Sequence, residues 1–250
     1  MQLEDCIPPE ILGEMDRRYT VAELCFAVKP FLIEALLTSE VEQVHYFDGD
    51  CLVLDDTKSL REELDKADLL LTPHSLTPIP DDGLSPRPLT ILRAGVFNAG
   101  YIGVRNTVQG RNFLKWLCSM TLKYAKNEPK SGMCGDQKWL DLAPALFSGL
   151  RICRHSGANM AYWNLHERKL EIDAQGRFQV NGQSLIFFHF SGYVAAQPLQ
   201  ISKYQNRNQL ILGSPLHRLF QAYHARITAA YGSFAEQGSS TARKFRLLWR

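Results

Sequence analysis

Residues 41–50, VEQVHYFDGD, decide the fold, because a hydrophobic run over residues 41–47 is followed at once by two carboxylates. The run predicts a buried strand, and Asp48 and Asp50 then lie at its carboxyl end, where open α/β sheets bind their ligands. Gly49 lets both side chains reach one cation without crowding the backbone. The segment therefore predicts an α/β domain that binds a hard divalent ion, Mg²⁺ or Mn²⁺, together with a phosphate-bearing substrate. An acidic turn without a ligand is the alternative.

The composition limits the class of protein. With 250 residues, 45% of them hydrophobic, the chain can bury the core of one sizeable α/β domain. Its net charge of +2 argues against a nucleic-acid partner. It has no run of about 18 apolar residues and no N-terminal signal pattern, which predicts a cytoplasmic protein without a transmembrane segment. Its six dispersed cysteines are typical of reduced thiols rather than of a structural zinc site or a disulfide framework.

Helix and strand patterns alternate along the chain. Thr20 and Glu23 predict a capping box before an apolar helix that Pro30 kinks or divides, and Ser59 with Glu62 predicts a second capping box. The other patterns predict strands over residues 67–72 and 96–104, a loop over residues 75–88, and helices over residues 111–126 and 136–147.

The later part of the chain predicts a small β-meander over residues 170–190, whose last strand contains His189. A helical C-terminal segment follows. We therefore predict a mixed sheet flanked by helices in a domain of residues 1–195, with a helical extension of residues 196–250 that packs on it. Residues 242–250 are basic and amphipathic, which suits peripheral contact with an anionic membrane face, although a solvated tail is the plainer interpretation.

Polar residues outside the acidic pair can face a substrate. Gly100 permits close approach of a ligand, and Asn98 offers a donor and an acceptor to a sugar hydroxyl, although a plain β-bulge explains both residues. Asp136 and Gln137 open a predicted helix, where they either project towards a polar substrate or cap the helix. Asn164 is open between a substrate contact and a satisfied core amide.

His189 follows three apolar residues at the end of a predicted strand. Most histidines in such a place are hydrogen-bonded core residues. The acidic pair lacks a third ligand, however, and a histidine at another strand end can complete the set. The residues alone leave both interpretations open.

Taken in order, five motifs resemble those of the GT-A glycosyltransferases, which use nucleotide-sugar donors, and in particular the glycogenin-like retaining enzymes and the bacterial Asp-x-Asp type. The motifs are Tyr46-Phe47-Asp48-Gly49-Asp50, Phe97-Asn98-Ala99-Gly100-Tyr101, Gly135-Asp136-Gln137-Lys138-Trp139-Leu140, Ala161-Tyr162-Trp163-Asn164-Leu165 and Phe188-His189-Phe190-Ser191-Gly192. The resemblance covers most of the chain, from about residue 19 to residue 192, and implies a GT-A-like fold.

The resemblance also implies a chemistry. Members of the family transfer a hexose from a nucleotide sugar, and the metal set carried over to this sequence is Asp48, Asp50 and His189, which would hold Mn²⁺ or Mg²⁺ against the donor diphosphate. The implied acceptor is a saccharide or a lipid-linked saccharide, and the glycogenin-like pattern implies retention of configuration. The other residues carried over are Asn98, Gly100 and Asn164 in the donor-sugar pocket, and Asp136 and Gln137 orienting the sugar for attack.

Two features depart from the family pattern. Only a short lead and one helical region precede Asp48, so the βαβ segment that normally binds the nucleotide is not found, and we expect a member shortened at its N-terminus. The Lys-Pro-Trp that often follows the late histidine is replaced by Tyr193-Val194-Ala195, which removes one phosphate contact.

Two rival interpretations remain. A haloacid-dehalogenase-type phosphatase would use Asp48 as nucleophile and Asp50 as general acid/base, but it needs Thr or Val where Leu52 stands and leaves the Asn-Ala-Gly and His-Phe-Ser-Gly motifs unexplained. The further residues that it would use are Thr72, Lys126 or Lys130, Asp136 and Asp141. The second rival is a GT-A remnant that binds sugars or partners without turnover.

Overall fold

The computed structural model describes residues 2–236, and the basic segment predicted at residues 242–250 lies outside them. The α-helices within this range are α1 Pro9–Arg18, α2 Val21–Leu36, α3 Lys58–Leu64, α4 Pro88–Ala94, α5 Val108–Tyr124, α6 Ala143–Leu146 and α7 Pro215–Glu236. The 3-10 helices are Leu3–Asp5, Pro129–Ser131 and Gln137–Leu142.

The strands form a central sheet and smaller satellite sheets. They are β1 Gln43–Phe47, β2 Cys51–Val53, β3 Leu69–Pro73, β4 Phe97–Arg105, β5 Asn127–Glu128, β6 Met133–Cys134, β7 Leu150–Ile152, β8 Leu170–Ile172, β9 Phe178–Val180, β10 Gln183–Ser184 and β11 Phe187–His189. The central sheet has the order β1-β4-β3-β7, in which β3 and β7 are parallel and the other pairs are antiparallel. The prediction of a mixed α/β sheet flanked by helices is therefore confirmed.

Both faces of the central sheet are covered. On one face α2 and α5 pack against β3 and β4, and Leu69 and Leu71 point into this core. On the other face Leu70 packs with α3 and with Phe187 of β11. Because successive side chains of a strand point to opposite faces, β3 is buried along its whole length. The outer strand β1, which precedes the acidic pair, is only half-buried, and it pairs antiparallel to β4 rather than in a parallel sheet.

One predicted capping box forms and the other does not. The Thr20 hydroxyl accepts a hydrogen bond from the Glu23 amide at 3.4 Å, and the Glu23 carboxylate accepts one from the Thr20 amide at 2.9 Å. Helix α2 then continues through Pro30. Helix α3 begins after Thr57 without a side-chain cap, so the box predicted at Ser59 is wrong, although the helix itself is present.

Two other segments differ from the prediction. The helix predicted over residues 136–147 is a 3-10 helix followed by the single turn α6. The meander consists of β8, β9 and β10, and β11 leaves it to pair with β2. The pairing of β2 with β11 joins two segments that are distant in sequence, and no local sequence pattern predicts it. It places His189 beside the turn that contains Asp48 and Asp50.

Helix α7 holds β11 from the side away from the central sheet. The ring of Tyr223 stacks on Phe190 with centroids 3.6 Å apart, and Phe220 packs edge-on against Phe188 and Phe190. The C-terminal segment thus supports the strand that presents His189. Within residues 2–236, no helix combines the length and apolar character that crossing a bilayer requires.

Candidate functional site

The site begins at a tight turn between β1 and β2. The amide of Cys51 donates to the Asp48 carbonyl at 2.9 Å, which closes the turn around Gly49 and Asp50. Strand β2 then pairs antiparallel to β11 with Cys51 opposite His189. As a result, Nε2 of His189 lies 3.0 Å from Oδ1 of Asp50. The structure brings two of the three predicted metal ligands into direct contact.

The other nitrogen of His189 is held by amides. Its Nδ1 lies 3.1 Å from Oδ1 of Asn98 and 3.2 Å from Oδ1 of Asn159. Both partners are acceptors, so we assign a proton to Nδ1, which leaves Nε2 as the atom that faces Asp50. Metal-binding histidines are commonly oriented in this way, with the second ring nitrogen donating to an oxygen. The arrangement fits a divalent cation bound between Nε2 and Asp50.

Electrostatics couples His189 and Asp50. Burial alone would lower the pKa of His189, but the neighbouring Cys51 and Asp50 outweigh it and the pKa is raised well above its usual value. Burial alone would raise the pKa of Asp50, yet the hydrogen bond from His189 outweighs it and the pKa is lowered. Without a cation, the pair therefore exists as imidazolium and carboxylate, and a divalent ion can take the place of the proton on Nε2.

Asp48 faces a different partner, the buried side chain of Lys29. Nζ of Lys29 lies 3.0 Å from Oδ1 of Asp48 and 2.9 Å from Oδ2 of Asp136. It also donates to the Ala99 carbonyl at 2.8 Å and lies 5.2 Å from the ring centre of Tyr46. Lys29 is 1% exposed, so one ammonium group joins two carboxylates inside the protein.

The charges around Lys29 are unequal in number. Burial alone would lower the pKa of Lys29, but Asp136 and Asp48 outweigh it, and the pKa is raised. Burial raises the pKa of Asp136, with Lys29 acting against it and the nearby Asp48 adding to it. Lys29 thus stays protonated, and its charge is shared by two acids, which leaves one carboxylate of this cluster able to attract a further cation or donor.

Asp48 and Asp50 therefore do not converge on one point in this structure. Within residues 2–236, the ligand-type atoms that lie within 4.8 Å of one another belong to Asp50, Cys51 and His189. Asp48 is outside that group because it binds Lys29.

The predicted donor-pocket amides form a chain behind His189. Nδ2 of Asn98 donates to Oε1 of Gln137 at 2.9 Å, and Nε2 of Gln137 donates to the Ala94 carbonyl at 2.9 Å. Nδ2 of Asn159 donates to Oδ1 of Asn98 at 2.9 Å and to the Thr72 hydroxyl at 2.7 Å. These amides bind one another, so their first effect is to fix the ring of His189.

Asn164 is also engaged within the protein. Its side chain donates to the carbonyls of His74 and Asn159, at 3.1 and 3.0 Å, and accepts from the Ala161 amide at 2.9 Å. It is fully buried, and it ties the segment that carries Asn159 to the end of β3. Asn159 itself has a φ of 52°, a conformation that non-glycine residues adopt rarely and that is often found at functional sites.

Gly100 is required by the packing of His189. A Cβ at this position would lie 2.3 Å from Cε1 and 2.4 Å from Nδ1 of His189, and 2.6 Å from Oδ1 of Asn98. The close approach that the sequence predicts for a ligand is made here by the protein's own imidazole.

Gly100→Ala is therefore expected to displace His189. We expect a loss of about 1–3 kcal/mol in the free energy of unfolding from overpacking, measured by urea denaturation, together with weaker Mn²⁺ binding by calorimetry. The matched control is Gly49→Ala in the turn between β1 and β2, where an added Cβ meets nothing within 4 Å. Equal effects of the two substitutions would contradict the steric argument.

Sequence reasoning did not assign a role to Lys29, Cys51 or Asn159. Lys29 carried a usable signal, since it lies between Val28 and Pro30 on the apolar face of a helix, where an unpaired charge is costly. Its two acidic partners, Asp48 and Asp136, come from other segments of the chain, so the sequence around Lys29 does not identify them. From the sequence Asn159, like Asn164, is open between a substrate contact and a satisfied core amide, whereas Cys51 has no comparable signal.

Comparison with known proteins gives relatives without an assigned function. No family model matches the chain. It is similar to two proteins of Bacillus subtilis (strain 168), both described as uncharacterized. The chain is 30% identical to YfnF over 187 residues, 74% of this chain and 61% of YfnF, and 28% identical to YfnD over 203 residues, 77% of this chain and 60% of YfnD. It thus spans about three fifths of the length of these curated relatives.

Among solved structures, a match is found to the galactosyltransferase LgtC in complex with donor and acceptor sugar analogs. The match covers 84% of this chain and 68% of that chain, with 16% sequence identity and a TM-score of 0.43.

Proposed function

We propose that this chain carries the catalytic site of a metal-dependent glycosyltransferase of GT-A type, which moves a hexose from a nucleotide-sugar donor to a saccharide or lipid-linked acceptor. The observation that carries the proposal is the contact between Asp50 and His189. Asp50 lies in the turn before β2 and His189 lies at the end of β11, far away in sequence, and the Nδ1 side of His189 is fixed by two amides, as a metal ligand requires. The order of the five sequence motifs supports the same assignment.

Asp50 and His189 would hold the divalent ion, Mn²⁺ or Mg²⁺, with Asp48 as the third ligand proposed from the motif. The bound ion would neutralise negative charge that develops on the departing diphosphate. The surrounding residues would hold these ligands in place. The amide chain keeps Nε2 of His189 directed at Asp50, and the ion pair with Lys29 fixes the side chain of Asp48 in the turn between β1 and β2. Lys29 also adds a positive charge close to where a diphosphate would lie.

The donor sugar is proposed to lie near Asp136 and Gln137, with Asn98, Gly100 and Asn164 supporting the pocket. Asp136 is 1% exposed and paired with Lys29, whereas an inverting enzyme needs a carboxylate base in contact with the acceptor hydroxyl. This burial favours retention of configuration. The ion pair accounts for the buried position of Asp136. In this role Asp136 would hold Lys29 in place next to the proposed position of the donor sugar.

The phosphatase interpretation fits the geometry less well. Its nucleophile would be Asp48, which binds Lys29, and its Thr72 is bonded to Asn159. Asp141, the last acid that it would use, instead accepts from the Val96 amide at 2.7 Å and binds Lys138 at 2.8 Å. These contacts within the protein fit structural roles for Thr72 and Asp141 better than catalytic ones.

One assay separates the three interpretations. The chain is incubated with UDP- and GDP-sugars and Mn²⁺, and in parallel with a generic aryl phosphate. We expect Mn²⁺-dependent release of nucleotide and no phosphate from the aryl substrate. Phosphate release would favour the phosphatase, and silence in both assays would favour a remnant that binds without turnover. A cytoplasmic location and peripheral membrane contact stay predictions, the latter resting on residues 242–250.

A further inference from the structure

The turn between β1 and β2 presents a thiol to the candidate metal site. Cys51 directly follows Asp50 and lies opposite His189 in the β2–β11 ladder. Its Sγ belongs, with a carboxylate oxygen of Asp50 and a ring nitrogen of His189, to the group of atoms lying within 4.8 Å of one another. We propose that Asp50, Cys51 and His189 form a binding site for a thiophilic divalent cation, with Zn²⁺ as the physiological example.

The geometry is close to what such an ion needs. Zinc bonds of about 2.0–2.3 Å to oxygen, nitrogen and sulfur place neighbouring tetrahedral ligands roughly 3–4 Å apart. Oδ1 of Asp50 and Nε2 of His189 are already 3.0 Å apart. The Sγ contact with the Gly100 carbonyl, at 3.7 Å, is long and weak, so the thiol gives up little when it turns to a cation.

The donor set determines the preference. Thiolate and imidazole ligands favour Zn²⁺, whereas Mn²⁺ is best served by oxygen ligands and lies at the weak end of the affinity series for divalent ions. As zinc binds, the thiol proton of Cys51 and the Nε2 proton of His189 both pass to solvent. Three protein ligands leave one coordination position open, as in sites where zinc contacts a substrate.

The position of Asp48 distinguishes the proposed Mn²⁺ site from the proposed Zn²⁺ site. Asp48, the third ligand proposed for Mn²⁺, is bound to Lys29 and is not among the clustered ligand atoms of Asp50, Cys51 and His189. In this arrangement the three clustered ligand-type atoms are one oxygen, one nitrogen and one sulfur. The site therefore selects between ions by whether Cys51 or Asp48 provides the third ligand, and Zn²⁺ competes with Mn²⁺ for Asp50 and His189. The inference rests on the proposed function only through these two shared ligands.

A spectroscopic experiment tests the thiol directly. The metal-free full chain is titrated with Co²⁺, which replaces Zn²⁺ and gives a sulfur-to-metal charge-transfer band when a thiolate binds. We expect the band in the unmodified chain, its loss in Cys51→Ser and Cys51→Ala, and its retention in Cys6→Ser. Cys6 is a matched control because it is half-buried and packs in a different core cluster.

Competition with a chromophoric chelator then measures affinity. Zn²⁺ affinity is expected to fall by about 100-fold or more in Cys51→Ser, and Mn²⁺ affinity by less than about threefold. Co²⁺ binding without the charge-transfer band, or unchanged Zn²⁺ affinity in both Cys51 variants, would overturn the proposal and leave Cys51 as a core side chain packed beside Phe47. Mn²⁺-dependent nucleotide release by the unmodified chain decides the proposed function separately, because it does not depend on the cobalt spectrum.

Discussion

Asp50→Asn is expected to reduce Mn²⁺-dependent release of nucleotide from the donor by about 100-fold or more. The substitution keeps the shape of the side chain and removes the charge, and the carboxylate of Asp50 is the group in contact with Nε2 of His189. A neutral amide binds a hard cation poorly. The reaction rate is measured against Mn²⁺ concentration, so that a loss of metal affinity is separated from a loss of maximal rate.

The control for Asp50 is an exposed carboxylate outside the five motifs. Asp81→Asn lies in the loop before α4 and is expected to leave the rate unchanged. Asp48→Asn provides an internal comparison, because Asp48 binds Lys29 and is outside the group of clustered ligand atoms. Full activity of Asp50→Asn at low Mn²⁺ concentration would contradict the assignment of Asp50 as a metal ligand.

Lys29→Met is expected to destabilise the fold by about 3–5 kcal/mol, because it leaves the carboxylate of Asp136 buried without its cation. Both residues are 1% exposed, and their charged atoms lie 2.9 Å apart. For a chain of this size the loss corresponds to a fall of about 10 °C in Tm. Urea denaturation and thermal unfolding followed by circular dichroism measure the effect.

Two further variants isolate the ion pair. Lys29→Met combined with Asp136→Asn removes both charges, and we expect it to recover much of the stability that the lysine substitution alone loses. Lys58→Met is the surface control, since Lys58 is exposed and its pair with Glu62 is worth little. If the double variant is as unstable as Lys29→Met, the loss comes from packing rather than from the unpaired acid.

The same variant has a pH dependence of predictable sign. Burial already raises the pKa of Asp136, and loss of Lys29 removes the charge that opposes this rise. In Lys29→Met the folded state therefore holds a proton that the unfolded chain releases. Its stability is expected to increase as the pH falls from the raised pKa of Asp136 towards the ordinary carboxyl value, and the difference from the unmodified chain should shrink.

The sequence predicts those parts of the fold that local patterns specify. The apolar runs that become β1, β3 and β4 predict an α/β sheet, and Thr20 with Glu23 predicts the start of α2. The box at Ser59 has the same pattern but does not form, since α3 begins at Lys58, two residues before the first helical position that this box requires. Capping motifs are short, so neighbouring residues decide which one is used.

The site depends on contacts that a single sequence does not specify. The motif order correctly selects Asp50 and His189 as neighbours, but the pairing of β2 with β11 that joins them has no local signature. Asn98 and Gln137 are predicted to face a sugar, and in the structure they bind each other and stand behind His189. Amide side chains satisfy one another as readily as they bind a substrate, which sequence alone does not distinguish.

The ladder between β2 and β11 also has a consequence for synthesis on the ribosome. The turn with Asp50 emerges early, and the strand with His189 emerges much later, after the central sheet has all its strands. Until then the turn has Asp50 and Cys51 but lacks His189, the third member of the group of ligand-type atoms. The three-residue group is therefore complete only once β11 has paired with β2, which makes this site a late product of synthesis.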